Sequence, residues 1–153
     1  MSSSTEFVYT TYIRTTPERL WQAITDPAFS SRYMGHGMVS DWEKGSSYVW
    51  ADSGLEIAHP EQVILESDPY RRLAFTFHTF VPELTQLGLD EETIAKAAAE
   101  RRSKVSFDIE PVGDQVKLTV IHDDFGPEST VRELISGGWP WKLSGLKTGL
   151  EES

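Results

Sequence analysis

One long helical stretch, at the carboxyl end, follows a chain built almost entirely of short alternating segments. In residues 131–150, Ile135, Trp139, Leu143, Leu146 and Leu150 fall within one apolar arc at about 100° per residue. Before it, strands are predicted at 6–14, 38–42, 47–52, 55–66, 71–80, 104–110 and 115–122. Each carries one apolar face: Tyr48 with Trp50; Leu73, Phe75 and Phe77; Val105, Phe107 and Ile109; Val116, Leu118, Val120 and His122. Such a face must be covered, and only the last helix is long enough to cover it. The expected fold is therefore α+β. A curved antiparallel sheet of about six or seven strands wraps the C-terminal helix, joined by short turns.

Two short helices are predicted after the first strand. Thr16-Pro17 supplies a cap and a first-turn proline, and Asp26-Pro27 ends that helix and starts the next, which closes at Gly35 and Gly37. Asp52-Ser53-Gly54, Asp68-Pro69-Tyr70 and Pro111-Val112-Gly113-Asp114 read as turns, and Pro60 as a bulge or edge. Residues 81–102 break the strand rhythm, with Leu84, Leu87 and Leu89 in a loop and a helix capped by Asp90. This segment reads as a surface insertion near a cavity mouth, within a single domain spanning 1–153. Thr130 and Glu133 have capping-box spacing. Gly138, Gly145 and Gly149 form a stripe beside the apolar arc, which predicts a hollow under the helix.

Composition narrows the function. The 153 residues carry 14 basic and 24 acidic side chains, a net charge of −10, so nucleic acid and anionic membrane are not expected partners. There is no cysteine, which removes disulfides, thiolate metal sites and cysteine nucleophiles. The start Met1-Ser2-Ser3-Ser4-Thr5-Glu6 lacks signal-peptide character, and no apolar run suits a membrane span. A cytoplasmic protein is expected. His36, His59, His78 and His122 show no metal-ligand spacing, so neither metal nor cofactor is expected. Strand parity directs His78 away from Phe75 and Phe77, toward solvent, and the glycines around His36 suit a turn. His122 and Asp123 point to opposite faces, and no Gly-x-Ser-x-Gly elbow is present, so no catalytic residue is assigned.

Three segments resemble a known family. They are Ile13 to Tyr33, with Thr16-Pro17-Glu18-Arg19-Leu20-Trp21 and Thr25-Asp26-Pro27; Arg71-Arg72-Leu73-Ala74-Phe75-Thr76; and Ser103 to Glu151. The last contains Val105-Ser106-Phe107-Asp108-Ile109-Glu110-Pro111, Leu118-Thr119-Val120-Ile121-His122 and Gly137-Gly138-Trp139-Pro140. These resemble the bacterial homologues of the heat-shock protein 90 ATPase activator. That family lies within the START-related (SRPBCC) helix-grip superfamily, which includes the major birch-pollen allergen. The resemblance implies a helix-grip fold and, in many members, an apolar cavity between sheet and long helix. It implies no catalytic set.

Together these readings lead to a non-catalytic carrier or sensor of an apolar, lipid-like or polyketide-like small molecule. Its candidate walls are Trp21, Tyr33, Trp42, Tyr48 and Trp50, then Phe75, Phe77, Phe107 and Val120. From the helix come Trp139, Leu143 and Leu146, with His122 as a polar anchor and Lys142 at the mouth to favour an anionic head group. A chaperone accessory factor in a stress response is the alternative, and a small cyclase or hydratase the second. Either a monomer or a homodimer is compatible with the sequence.

Overall fold

The computed structural model describes residues 6–152 apart from Ser53 and Pro127. The amino-terminal residues 1–5, Ser53 in the expected turn and Pro127 before the last helix lie outside the described residues. Strand β1 (Phe7–Ile13) leads into α1 (Pro17–Thr25) and α2 (Pro27–Met34). Then come β2 (Gly37–Val39), β3 (Val49–Asp52), β4 (Leu55–Ile57), β5 (Ile64–Asp68) and β6 (Arg72–Thr76). A 3-10 turn (Pro82–Leu87) and α3 (Glu91–Ala98) separate these from β7 (Lys104–Val112), β8 (Gln115–Asp123) and α4 (Thr130–Glu152).

The sheet is antiparallel throughout, in the orders β1-β8-β7-β6-β5 and β2-β3-β4. Backbone bonds tie the two parts together: Gly45 N–H to Ile64 O at 2.8 Å, Ile64 N–H to Ser46 O at 2.8 Å and Tyr48 N–H to Gln62 O at 3.1 Å. The segment before β3 thus lies along the edge of β5, and the whole surface curves around α4. The helical arc Ile135, Trp139, Leu143, Leu146 and Leu150 is buried against Leu73, Phe75, Phe107, Leu118 and Val120 in one core. Full burial of each such aliphatic side chain stabilises the fold by about 1.5–3 kcal/mol.

Local chemistry fixes the element ends. Thr16 accepts from the Arg19 N–H at 3.2 Å, Asp26 from Ala28 at 3.0 Å, and Asp90 from Thr93 at 2.7 Å. Gly35 closes α2 at φ 85°. The cap of α4 differs from the expected one. Ser129, not Thr130, accepts from the Arg132 N–H at 3.0 Å, and the Glu100 carboxylate takes the Thr130 N–H at 2.6 Å and that of Val131 at 3.2 Å. A carboxylate from a distant element thus replaces the Glu133 of a local box, and its charge suits the positive end of the helix.

Strand boundaries shift: the expected strand 38–42 is only Gly37–Val39 and 47–52 starts at Val49. The expected strand 55–66 divides into β4 and β5 around Pro60. β6 ends at Thr76, so residues 77–80 leave the sheet. Pro111 lies inside β7 rather than in the turn, which is Gly113-Asp114 with Gly113 at φ 62°. β6 pairs with β7 only as far as Asp108, so beyond it β7 has an open edge where the missing proline N–H costs nothing.

Residues 81–102 pack more deeply than a solvated insertion would. Leu84, Ile94 and Ala97 are buried, while Arg102 anchors the end of the segment by donating to Phe77 O at 2.9 Å and pairing with Glu61 at 3.2 Å.

Candidate functional site

The space directly between sheet and helix is filled by aromatic rings. Tyr48, Phe75, Phe107 and Trp139 meet edge to face in succession, with centroids 5.7, 5.7 and 5.8 Å apart. Only about 20 Å³ remains among them, bordered also by Met34 and Met38. The Tyr48 hydroxyl donates to Thr76 O at 2.5 Å, and burial pushes its pKa up.

The room lies at one side of α4. A hollow of about 230 Å³ opens there, walled by Trp50, Phe77, Phe80, Leu84, Leu89, Leu134, Ile135 and Trp139. Residues 77–89 form its outer wall, because β6 stops at Thr76 and lets the chain fold over. Gly138 lines it as well, and a Cβ added there would meet no atom within 4 Å. Its polar lining is His36, His78 and Lys142. Surface depressions of about 340, 420 and 550 Å³ also exist, but each has a more polar lining than this hollow. The smaller, largely apolar hollow is the one suited to an organic molecule.

Four stretches of the chain converge on its polar side. Trp50 of β3 stacks with both His36, 5.5 Å away and 20° from coplanar, and His78, 4.5 Å away and 29° from coplanar. The Lys142 ammonium donates to Met34 O at 3.1 Å and to His36 Nδ1 at 2.8 Å. An ammonium has no acceptor capacity, so His36 Nδ1 carries the lone pair. By the same logic His78 Nδ1 bears a proton, which it donates to Thr79 O at 2.8 Å. Burial, then the Lys142 charge, holds His36 well below the usual histidine range. Burial likewise lowers His78 to about 4, against a smaller opposing effect of the Thr79 carbonyl. At neutral pH both imidazoles are therefore uncharged.

His122 is sealed inside the core. Its Nδ1 accepts from the Trp139 indole N–H at 3.0 Å and its Nε2 lies 2.7 Å from Ser103 Oγ. Indole is donor only, so the imidazole proton sits on Nε2 and points at the serine. A general base needs the opposite arrangement, with a lone pair facing the hydroxyl. This Ser–His pair is wired as a structural clamp, and burial lowers His122 to about 3.

The structure brings some of the sequence candidates together and scatters others. Trp50, Phe77, Trp139 and Lys142 line the hollow, while Tyr48, Phe75 and Phe107 border only the small inner void. Val120, Leu143 and Leu146 are core residues. Trp21 packs edge to face on Tyr70 at 6.3 Å, and Trp42 is half-buried at the core margin. Tyr33 fills the expected hollow under Gly145 and Gly149. A Cβ at Gly145 would overlap the Tyr33 carbonyl oxygen, and one at Gly149 would lie 2.6 Å from its ring. Those two glycines admit α2 against α4; of the three in the stripe, Gly138 alone faces open space. His78, expected in solvent, is buried, because strand parity no longer holds past Thr76. Sequence reasoning also missed Phe80, Leu84, Leu89, Leu134 and Ile135 as walls and His36 as a polar group of the hollow. The apolar character of the five walls is visible in the sequence, but no spacing connects them to a site.

Among the described residues, no group of three or more His, Asp or Glu side chains could hold a metal ion, and no helix is long and apolar enough to cross a membrane.

No curated protein matches the chain significantly. Protein MLL2253 from Mesorhizobium loti superposes with a TM-score of 0.74 at 19% identity, over 97% of this chain and 98% of that one. The Aha1 dimer from Colwellia psychrerythraea gives 0.69 at 17% identity, over 96% of each chain. DynU16, a protein in the dynemicin biosynthetic locus, gives 0.71 at 18% identity; 97% of this chain spans 48% of that one. These likenesses share the helix-grip fold. The profile described as Activator of Hsp90 ATPase homolog 1-like protein matches residues 14–151, and the chain belongs to that family.

Proposed function

We propose that the protein is a non-catalytic binder of an apolar small molecule, held in the hollow beside α4. One observation carries the reading: aromatic and aliphatic side chains from the sheet, from residues 77–89 and from α4 wall an open hollow of about 230 Å³ that protein atoms leave unfilled. Burying a ligand there removes apolar surface from water at about 25 cal/mol per Å². The likeness to DynU16, from a biosynthetic locus, supports a small-molecule role. In this reading the protein works in the cytoplasm as a single domain, monomer or homodimer, and Leu84 and Leu89 help to close the outer wall.

Native mass spectrometry with methyl octanoate tests it. The wild type should carry one ligand, and Gly138→Leu, which fills the hollow from a position with open space, should carry none. An unliganded wild type, or an unimpaired variant, overturns the reading.

The family description favours a second reading, an accessory factor of a chaperone. Trp141 on α4 is 64% exposed and is the anchor such a contact would use. Chaperone binding lost in Trp141→Ala but retained in Gly138→Leu would favour this reading over the first.

A further inference from the structure

Resting on the binding role proposed above, we infer that the hollow takes a small amphipathic monocarboxylic acid. The acid binds as its anion, and its carboxylate replaces His36 Nδ1 as the acceptor of the Lys142 ammonium.

Charge supports the ligand class. The hollow's polar lining is one lysine and two histidines, with no acidic side chain in it. Both histidines are neutral at pH 7, so the lining carries a single positive charge beside apolar walls. Attraction between opposite charges strengthens as the local dielectric falls, and a cationic ligand would be repelled by the same wall. One ammonium matches one carboxylate. A phosphate dianion asks for more donors than this lining offers.

Geometry supports the exchange. The bond from Lys142 Nζ to His36 Nδ1 is 2.8 Å and joins a cation to a neutral acceptor. Replacing that acceptor with a carboxylate oxygen makes the bond charge-assisted on both sides, the stronger kind. The bond to Met34 O at 3.1 Å remains and keeps the ammonium in the lining during the exchange. His36 stays stacked on Trp50 while it gives up the bond. The imidazole thus acts as a placeholder that positions the lysine until the acid arrives.

Size limits the acid. The hollow's 230 Å³ lies just below the ~300–1,000 Å³ usual for small-molecule sites. A short chain or one ring fits; a long-chain lipid or a steroid does not.

Octanoate and methyl octanoate test the proposal on wild type, Lys142→Met and Lys142→Gln. Calorimetry reads affinity, and nitrogen NMR reads the His36 ring. The wild type should bind octanoate at least ~10-fold more tightly than the ester. Both variants should bind the two about equally, and Gln keeps a donor for Met34 O if Met unsettles the fold. The His36 Nδ1 resonance should move with octanoate and not with the ester. Equal affinity of the wild type for acid and ester overturns the carboxylate assignment and leaves the apolar hollow standing. So does an acid preference that survives in both lysine variants. Failure of both compounds to bind the wild type removes the hollow reading itself, and this inference with it.

Discussion

Trp139→Phe isolates one buried hydrogen bond. The phenyl ring preserves most of the packing, including the edge-to-face contact with Phe107 at 5.8 Å. It removes the indole N–H that reaches His122 Nδ1 at 3.0 Å. His122 is fully buried, so water cannot replace that donor. An orphaned buried acceptor costs about 1–3 kcal/mol. The lost part of the indole adds about 1 kcal/mol of burial. The expected loss is therefore about 2–4 kcal/mol, against about 3–5 kcal/mol for Trp139→Ala. Urea unfolding with an unchanged slope measures it. Nitrogen NMR of the wild type should also show the His122 proton on Nε2. A loss below ~0.5 kcal/mol, the range of ordinary surface changes, would refute the reasoning, as would a proton found on Nδ1.

Acid should destabilise the protein early. His78 and His122 titrate near 4 and 3 when folded, both depressed chiefly by burial, against about 6.5 unfolded. Between pH 6.5 and 4 the unfolded chain binds protons that the native state refuses, so stability is full above that window. As pH falls through it, each histidine costs up to about 1.4 kcal/mol per unit. Urea midpoints unchanged between pH 7 and 5 would contradict this. The glycines of α4 should separate sharply: Gly145→Ala, driven into the Tyr33 carbonyl, should lose about 3 kcal/mol or more, while Gly137→Ala, facing open space, should gain about 0.5–1 kcal/mol. Thermal melts of the pair decide it, and similar values would sink the packing argument. Amides in 82–98, whose helical bonds stay local, should exchange before those of β7, which pairs on both sides. Equal protection would overturn that order.

The fold was legible because its signals are local. The alternation of Val116, Leu118, Val120 and His122 reappears as the buried face of β8, and Thr16, Asp26 and Asp90 cap the helices they precede. The site was legible only in part, because its parts are not local. His36, Trp50 and His78 come from three separate stretches, and no spacing announces that they stack. His78 departs from strand parity because β6 ends at Thr76, two residues before it. Glycine is ambiguous in sequence: the same missing side chain that leaves a hollow at Gly138 admits Tyr33 at Gly145 and Gly149. The Ser129–Glu100 cap joins residues 29 apart and leaves no local pattern.

The five tryptophans offer the most direct test of the hollow as a binding site. Trp50 and Trp139 line it, while Trp21, Trp42 and Trp141 do not. Methyl octanoate added to nitrogen-labelled protein should shift the indole signals of Trp50 and Trp139 and leave the other three in place. In Gly138→Leu all five should stay still. Shifts concentrated at Trp21, Trp42 or Trp141, or shifts that persist in Gly138→Leu, would contradict the account.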